Sequence, residues 1–314
     1  MSRIVVALGG HIFGDTPIEQ RQLAKKASRS IVDLVEQGHD VVVSHGNAPQ
    51  VGMMQLAFSL GAKQKKKIPL MSLSDCGAMS QGYIGNHLQN ALREEFKKRK
   101  IDKSVVVIVT QTLIDKQDKE FEFPTKPIGL FYTKKEAKNW MKQTGDKYIE
   151  DSGRGYRKVV PSPIPIKIVE QESINVLAKA GMVVIAVGGG GIPVFESGDR
   201  LVSVEGVIDK DLASQYLAQE MDADYLFILT AVDKVSINFN KPNQENLDEM
   251  TINEAENWLN EGQFLEGSMS PKIQAAIYFV KSKRGRKAII TSMDKTKEAI
   301  LGLDGTIIYS KIED

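Results

Sequence analysis

The sequence has a single cysteine, Cys76, among its 314 residues. One cysteine forms no intramolecular disulfide and supplies no structural zinc site of the kind built from several cysteines. We expect Cys76 to be a small packed side chain rather than a nucleophile. A dominant charge is also lacking, because 41 Lys and Arg residues are balanced by 40 Asp and Glu residues. The net charge of +1 gives no basic field, so no nucleic-acid partner is expected.

Long apolar runs are missing as well. The first ten residues, MSRIVVALGG, carry only a short apolar run between an arginine and two glycines, which is too short for a signal peptide. No run elsewhere reaches the length needed to span a membrane. We therefore expect a cytoplasmic protein without a membrane partner. The length and the 42% hydrophobic fraction suit one large domain, or two smaller ones, with a sizeable core.

Short apolar runs rich in Val and Ile recur along the chain, and each ends at glycine or a small polar residue. Such runs are typical of strands that are buried on both faces of a parallel sheet. The predicted strands are residues 4–8, 41–44, 105–110, 183–187, 225–230, 288–291 and 306–309. Helical spacing lies between them, over residues 17–37, 81–98, 170–180, 212–220, 252–260 and 272–281. This alternation predicts an α/β fold.

Residues 115–167 interrupt the alternation. The stretch is rich in Lys and aromatic residues, and five prolines break it: Pro124, Pro127, Pro161, Pro163 and Pro165. It is longer than an ordinary connection between two elements. We therefore expect a small protruding subdomain or lid that is inserted into the main fold.

Three glycine turns follow predicted strands. Gly9 and Gly10 come after the first strand, Gly46 and Asn47 after the second, and four glycines at 188–191 after the fourth. Glycine lets the backbone approach a ligand and exposes amide groups to an anion, although any of these turns could also be purely structural. Turns at the carboxyl ends of parallel strands meet at one edge of the sheet. The four-glycine turn matches neither a Walker A loop nor a dinucleotide fingerprint, which disfavours nicotinamide binding.

Three lysines stand where a cation can bind phosphate. Lys210 lies between Asp209 and Asp211 at a helix start, Lys272 follows a glycine–serine turn into a helix, and Lys126 lies between two prolines. A cation in the first turn opposes the helix dipole, which favours a bound anion there. An ordinary helix cap and a stiff linker are the alternatives. Together with the absence of a Ser–His–Asp order, a Cys–His pair or a metal cage, these lysines and glycine turns favour phosphoryl transfer.

Over nearly its whole length the sequence resembles the carbamate kinases of the amino acid kinase family. The resemblance rests on the strings HGNAPQVG, DCGAMSQGYIG, PTKPIG, EDSGRGYRKVVPSP, GGGGIPV, VIDKDLA, TAVDKVSINFNKPNQ and EGQFLEGSMSPK. It implies one domain over residues 1–314, with an open, mostly parallel sheet between helices and a protruding subdomain at 115–167. It also implies reversible phosphoryl transfer between carbamoyl phosphate and ADP, giving ATP and carbamate, as in the last step of arginine fermentation. A homodimer is implied, with Mg²⁺ held mainly by the nucleotide phosphates and water.

The resemblance further assigns roles to residues at the matching positions. Lys126, Lys210 and Lys272 are implied as the phosphate-neutralising cations, with Asp211 as the carboxylate that orients them. The carbamoyl phosphate side would be lined by Gly9, Gly10, His11, Gly46 and Asn47, the transferring phosphate by Gly189 and Gly190, and the nucleotide side by Thr230, Asp233 and Met269.

Two residues depart from the family pattern at the expected phosphate site. His11 stands where the family usually has Asn, and its charge can change near neutral pH. Ala48 stands where the family usually has Gly, and it would cost about 1 kcal/mol if that backbone needs φ > 0. Two other functions therefore stay open: a nucleotide-binding homologue that has lost catalysis, and a sibling kinase that acts on another carboxylate or on a nucleoside monophosphate. We expect an active carbamate kinase, because the three lysines and Asp211 are all present.

Overall fold

A computed structural model describes residues 2–10, 14, 16–64, 67–151 and 153–311. Within these residues the strands are β1 (Arg3–Leu8), β2 (Asp40–His45), β3 (Val105–Val107), β4 (Gln111–Leu113), β5 (Lys126–Tyr132), β6 (Tyr148–Glu150), β7 (Tyr156–Val160), β8 (Lys167–Ile168), β9 (Val183–Ile185), β10 (Ile192–Ser197), β11 (Arg200–Ser203), β12 (Tyr225–Thr230), β13 (Val235–Ile237), β14 (Glu245–Leu247), β15 (Glu249–Thr251), β16 (Lys287–Ser292) and β17 (Thr306–Tyr309). The helices are α1 (Pro17–Glu36), α2 (Ala48–Gln64), α3 (Leu73–Arg99), α4 (Lys134–Thr144), α5 (Gln171–Lys179), α6 (Lys210–Glu220), α7 (Ile252–Asn260), α8 (Met269–Lys281) and α9 (Thr296–Ile300).

The central sheet has eight strands in the order β15-β17-β16-β12-β1-β2-β9-β3. Neighbouring strands are parallel except β16 and β17, which are antiparallel. All seven predicted strands lie in this sheet, which confirms the α/β fold with a mostly parallel sheet. The eighth strand, β15, has only three residues and no apolar run that would have predicted it.

Alternate side chains of each central strand enter two different cores. In β1, Ile4, Val6 and Leu8 join the core that packs against α1, α3 and α9. Val5 and Ala7 of the same strand join the core that packs against α5, α6, α7 and α8. The period of two along a strand therefore gives a sheet that is covered by helices on both faces.

Several element boundaries differ from the predictions. The strands expected at 105–110 and 183–187 end at Val107 and Ile185. Helix α3 begins at Leu73, eight residues before the predicted start at 81, and Ser72 caps it. Helix α8 begins at Met269 because Pro271 is accommodated in the first turn, where its missing amide leaves no helical bond unmade. Helices α4 and α9 were not predicted, and no bounds were predicted for α2.

Strands β5, β7 and β6 form a separate antiparallel sheet within the stretch expected to protrude. Helix α4 connects β5 to β6, and its Trp140 makes an edge contact with Tyr132. At the base of this stretch, β4 and β8 pair antiparallel, so the chain leaves and returns at neighbouring points. The subdomain boundaries at 115 and 167 stay a prediction.

The helices of the described residues range in length from five residues in α9 to 27 residues in α3. None of those helices is long and apolar enough to cross a bilayer.

Candidate active site

The first two glycine turns contact each other at the carboxyl edge of the central sheet. The amide of Gly9 donates a hydrogen bond to the carbonyl of Leu229 (3.0 Å), and the amide of Gly46 donates to the carbonyl of Leu8 (3.0 Å). A β-carbon on Gly46 would lie 2.7 Å from the amide nitrogen of Gly10. The turns after β1 and β2 therefore fit together only because position 46 has no side chain.

The four-glycine turn after β9 lies against the second turn. Gly189 has φ +64°, and a β-carbon there would overlap the side-chain amide of Asn47. The Asn47 amide itself donates to the Ser80 hydroxyl at 2.7 Å. Gly190 has φ +89°, and a β-carbon there would lie 2.5 Å from the carbonyl oxygen of Ile208. Glycine is therefore required at both positions by conformation and by space.

Backbone strain is present at the start of the four-glycine turn. Val187 is fully buried and has φ +54°, a left-handed conformation that is a true outlier for a β-branched residue. Its amide donates to the hydroxyl of Thr110 at 3.0 Å, which helps to hold it there. Strain of this kind persists only where surrounding contacts enforce it, and it is concentrated at functional sites.

His45, the last residue of β2, lies beneath these turns. Its ring is buried, and its Nδ1 lies 3.1 Å from the carbonyl oxygen of Gly46. Burial lowers the pKa of His45 to about 4, with the charge of Lys210 acting in the same direction. The imidazole is therefore neutral near pH 7.

Two of the predicted lysines bind the same carboxylate. Lys210 Nζ lies 2.5 Å from Asp211 Oδ1, and Lys272 Nζ lies 2.9 Å from Asp211 Oδ2. Lys210 and Asp211 begin α6, whereas Lys272 is in the first turns of α8. The Asp211 side chain is only 4% exposed. The beginnings of two helices thus bring two ammonium groups to one buried acid.

The third lysine reaches the same place from β5. Lys126 Nζ is paired with Asp209 Oδ2, while Asp209 Oδ1 accepts the amides of Asp211 (2.8 Å) and Leu212 (3.3 Å). From the sequence, Asp209 was interpreted as an ordinary helix cap or as an acid that could hold Lys210, and its contact with Lys126 was not predicted. We refer to Lys126, Lys210, Lys272, Asp209 and Asp211 as the lysine cluster.

The electrostatics of the lysine cluster favour an anion. Burial would raise the pKa of Asp211, yet the charges of Lys210 and Lys272 hold it well below its ordinary value. Burial would also raise the pKa of Asp209, but the charge of Lys126 lowers it below its ordinary value. Both carboxylates are therefore ionised near pH 7. Burial lowers the pKa of Lys210, and the charge of Asp211 opposes that shift. With all three lysines protonated, three ammonium groups against two carboxylates give an excess positive charge at the edge of the sheet.

The residues predicted for the nucleotide side lie on elements next to the lysine cluster. Thr230 ends β12 opposite Ser292 of β16, half-buried at the same edge of the sheet. Asp233 is exposed shortly beyond it, and Met269 is the first residue of α8, partly packed on the core. The hydroxyl of Ser292 is buried without a hydrogen-bond partner among the described residues. Sequence reasoning had not singled out Ser292.

Comparison with known proteins places the chain in a family. Residues 2–292 match the sequence model of the amino acid kinase family. The chain belongs to the amino acid kinase family.

Relatives within that family cover the whole chain. The carbamate kinase-like protein YqeA of Escherichia coli (strain K12) is 52% identical over 306 residues, covering 98% of each protein. The carbamate kinase of Clostridium perfringens is 49% identical over 311 residues, covering 98% of this chain and 99% of that protein. The structure of Giardia lamblia carbamate kinase bound to AMP-PNP is 39% identical, with a TM-score of 0.89 and 99% of each chain covered. The resemblance to carbamate kinases is confirmed.

The two departures of this amino acid kinase from its family pattern have different outcomes. Ala48 is the first residue of α2 and is not among the residues with positive φ. The condition for a strain of about 1 kcal/mol is therefore not met at that position. His11 lies outside the described residues, so its predicted place in the phosphate site stays a prediction.

Among the described part of the chain, no three His, Cys, Asp or Glu side chains come together as a metal site. Asp209 and Asp211 are both engaged by lysines.

Proposed function

We propose that this amino acid kinase transfers a phosphoryl group reversibly between carbamoyl phosphate and ADP, giving ATP and carbamate. Full-length similarity to proteins named carbamate kinases supports the substrate, and the lysine cluster supports the reaction type. The single observation that carries the proposal is the carboxylate of Asp211 held between Lys210 and Lys272 at the carboxyl edge of the sheet.

The chemistry needs charge neutralisation more than proton transfer. A β-phosphate oxygen of ADP attacks the phosphorus of carbamoyl phosphate, the bond from phosphorus to the carbamoyl oxygen breaks, and carbamate leaves with its negative charge. In the reverse direction the attacking carbamate oxygen is already anionic, so no general base is required. Negative charge spreads over the equatorial oxygens of the transferring group, where ammonium groups stabilise it. In this proposal Lys126, Lys210 and Lys272 supply those cations, and Asp211 prevents their mutual repulsion.

The glycine turns are proposed to hold the two substrates in line. Gly9, Gly10, Gly46 and Asn47, together with His11, would contact carbamoyl phosphate. Backbone amides at Gly189 and Gly190 would approach the transferring phosphate, since no side chain blocks them. The nucleotide would lie along Thr230, Asp233 and Met269.

Four further properties belong to the same proposal. Mg²⁺ would be held mainly by the nucleotide phosphates and water, and it would neutralise their charge. The protein would be a cytoplasmic homodimer, as the resemblance implies. Its usual direction would be ATP formation, as in arginine fermentation.

The first experiment is ATP formation by the purified protein from ADP, Mg²⁺ and carbamoyl phosphate. Lys210→Ala should lower kcat by at least about 100-fold, because a cation at the transferring phosphate is lost. Lys25→Ala is the matched control, since Lys25 is an exposed residue of α1 paired with Glu94. The control should keep wild-type kcat, and a Lys210→Ala variant with near wild-type kcat would refute the assignment.

The same assay separates the two alternative functions. Tight nucleotide binding without ATP formation would establish a homologue that has lost catalysis, and His11→Asn would then be the first variant to test. Phosphorylation of a different carboxylate or of a nucleoside monophosphate would establish a sibling kinase. A pH–rate profile that His11→Asn leaves unchanged would exclude His11 from the reaction.

A further inference from the structure

Lys126 differs from the other two lysines in the element that carries it. Lys210 and Lys272 lie in α6 and α8, which pack on the central sheet. Lys126 begins β5 of the separate antiparallel sheet, so it belongs to a different structural unit. Its place in the lysine cluster therefore depends on contacts that join these two units.

The two oxygens of Asp209 divide between the two units. Oδ1 accepts the amides of Asp211 (2.8 Å) and Leu212 (3.3 Å), which fixes the carboxylate at the N-terminus of α6. Oδ2 contacts the ammonium of Lys126. Because the backbone hydrogen bonds set the orientation of the carboxylate, they also set where its second oxygen holds Lys126.

The ion pair between Asp209 and Lys126 is strengthened by its burial. The Asp209 side chain is 10% exposed and that of Lys126 is 24% exposed, so water screens the pair weakly. Burial alone would lower the pKa of Lys126, but the charge of Asp209 raises it above its ordinary value. Asp211, by contrast, is shared by Lys210 and Lys272. Among the contacts of the described residues, Asp209 is the direct ion-pair partner of Lys126.

We propose that Asp209 is a positioning residue, which holds the ammonium of Lys126 within the lysine cluster by tying β5 to the N-terminus of α6. The inference rests on the phosphoryl transfer proposed above, in which Lys126 meets the transferring phosphate. Asp209 itself touches Lys126 and the backbone of α6, and it acts on the reaction through them.

The decisive variant is Asp209→Asn, which keeps an oxygen to cap α6 and replaces the oxygen at Lys126 with an amide group. Asn and Asp cap helices about equally well, so any fall in the thermal unfolding midpoint should come from the lost ion pair with Lys126 and not from the cap. Asp209→Ser, which also keeps a cap but does not reach Lys126, serves as a second variant. We expect both to lower kcat/KM for carbamoyl phosphate by about 10- to 100-fold, because a displaced catalytic group costs about that much.

A double-mutant cycle with Lys126→Met separates positioning from a purely structural role. If Asp209 acts through Lys126, Asp209→Asn should change kcat/KM by less than about 2-fold in the Lys126→Met background. Similar losses in both backgrounds would mean that Asp209 acts through α6, and they would overturn the inference. Wild-type kcat/KM in Asp209→Asn would overturn it as well.

Lysine labelling tests the ion pair without relying on the reaction. Lys126 should react with acetic anhydride at pH 9 at least about 3-fold faster in Asp209→Asn, since the charge of Asp209 raises the pKa of Lys126 and its loss leaves more of the reactive amine. Lys25 should react equally in both proteins. An unchanged rate at Lys126 refutes the ion pair. Absence of ATP formation by the wild type refutes the proposed function instead, so the two failures give different results.

Discussion

Gly52 of α2 lies directly against Gly129 of β5. A β-carbon at position 52 would overlap the backbone nitrogen and Cα of Gly129. Gly129 follows Lys126 by three residues, and α2 begins at Ala48, next to the turn that carries Asn47. This glycine contact therefore sets the distance between the strand of Lys126 and the turn after β2.

Gly52→Ala should separate α2 from β5 and move Lys126 away from the lysine cluster. We expect kcat/KM for carbamoyl phosphate to fall by about 10- to 100-fold, because a displacement of about 1 Å misplaces the cation. The thermal unfolding midpoint should also fall, since the overlap involves backbone atoms that cannot rotate away. Steady-state kinetics and a thermal melt of the same preparation measure both effects.

Gly77→Ala is the matched control for this prediction. Gly77 is also helical, in α3, but a β-carbon there would meet no atom within 4 Å. Alanine stabilises a helix interior by up to about 1 kcal/mol relative to glycine, so stability should rise slightly and kcat/KM should not change. Wild-type kcat/KM in Gly52→Ala would contradict the role given to the contact with Gly129.

The free energy of unfolding should decrease as the pH falls, because His45 is buried in its neutral form. Burial lowers its pKa to about 4 in the folded protein, whereas an unfolded chain has a His pKa of about 6.5. Between these values the unfolded state binds a proton that the folded state does not. The contribution of neutral His45 is therefore fully present above pH 6.5 and is lost as the pH falls toward 4, by about 3 kcal/mol in total.

Urea unfolding at several pH values between 7.5 and 4.5 measures this loss. His45→Gln cannot be protonated, so its free energy of unfolding should decline less steeply with acid than that of the wild type. Other histidines contribute equally to both proteins, and the difference isolates His45. Identical slopes would show that His45 is already charged or exposed in the folded state.

The sequence predicts the bounds of a helix or strand well where the pattern lies in that element's own residues. Strand β17 and helix α7 have the predicted bounds, because a buried strand or an amphipathic helix shows its pattern in its own residues. The extent of helix α2 was not predicted, since it contains Gly52 and Gly61 and lacks a polar face. Glycine is needed at position 52 because of its contact with Gly129, which is far away along the chain.

In the candidate site, too, local motifs were predicted and contacts between residues far apart along the chain were not. The glycine turns and the three lysines were visible as local motifs, and the structure brings the lysines to one place. The role of Asp209 as a cap was visible too. Its contact with Lys126 joins residues 83 positions apart, and no local pattern reports such a pair. The positive φ at Val187 was equally invisible, because nothing in a valine predicts a left-handed backbone.

Cys76 should be unreactive in the folded protein. The thiol is buried in α3, and burial raises its pKa to about 11, with Asp75 and Glu205 acting in the same direction. Because the thiolate is the reactive form, a thiol reagent at pH 8 should modify less than one group per hundred chains on the timescale that modifies free cysteine fully. The same reagent should titrate one thiol after unfolding in urea. Rapid native modification would mean that α3 opens locally.

Ala48→Gly restores the residue that the family usually has, yet it should not improve the enzyme. Ala48 has ordinary helical conformation at the start of α2, so glycine relieves no strain there. Glycine instead increases the conformational entropy of the unfolded chain, and the free energy of unfolding should fall by up to about 1 kcal/mol. Ala48→Ser is the control, because serine, like alanine, has less backbone conformational freedom than glycine. Both variants should keep kcat within about 2-fold of the wild type. A clear rise in kcat for Ala48→Gly alone would show that the turn adopts a positive φ during turnover, and the helical conformation at position 48 would then not be the catalytic one.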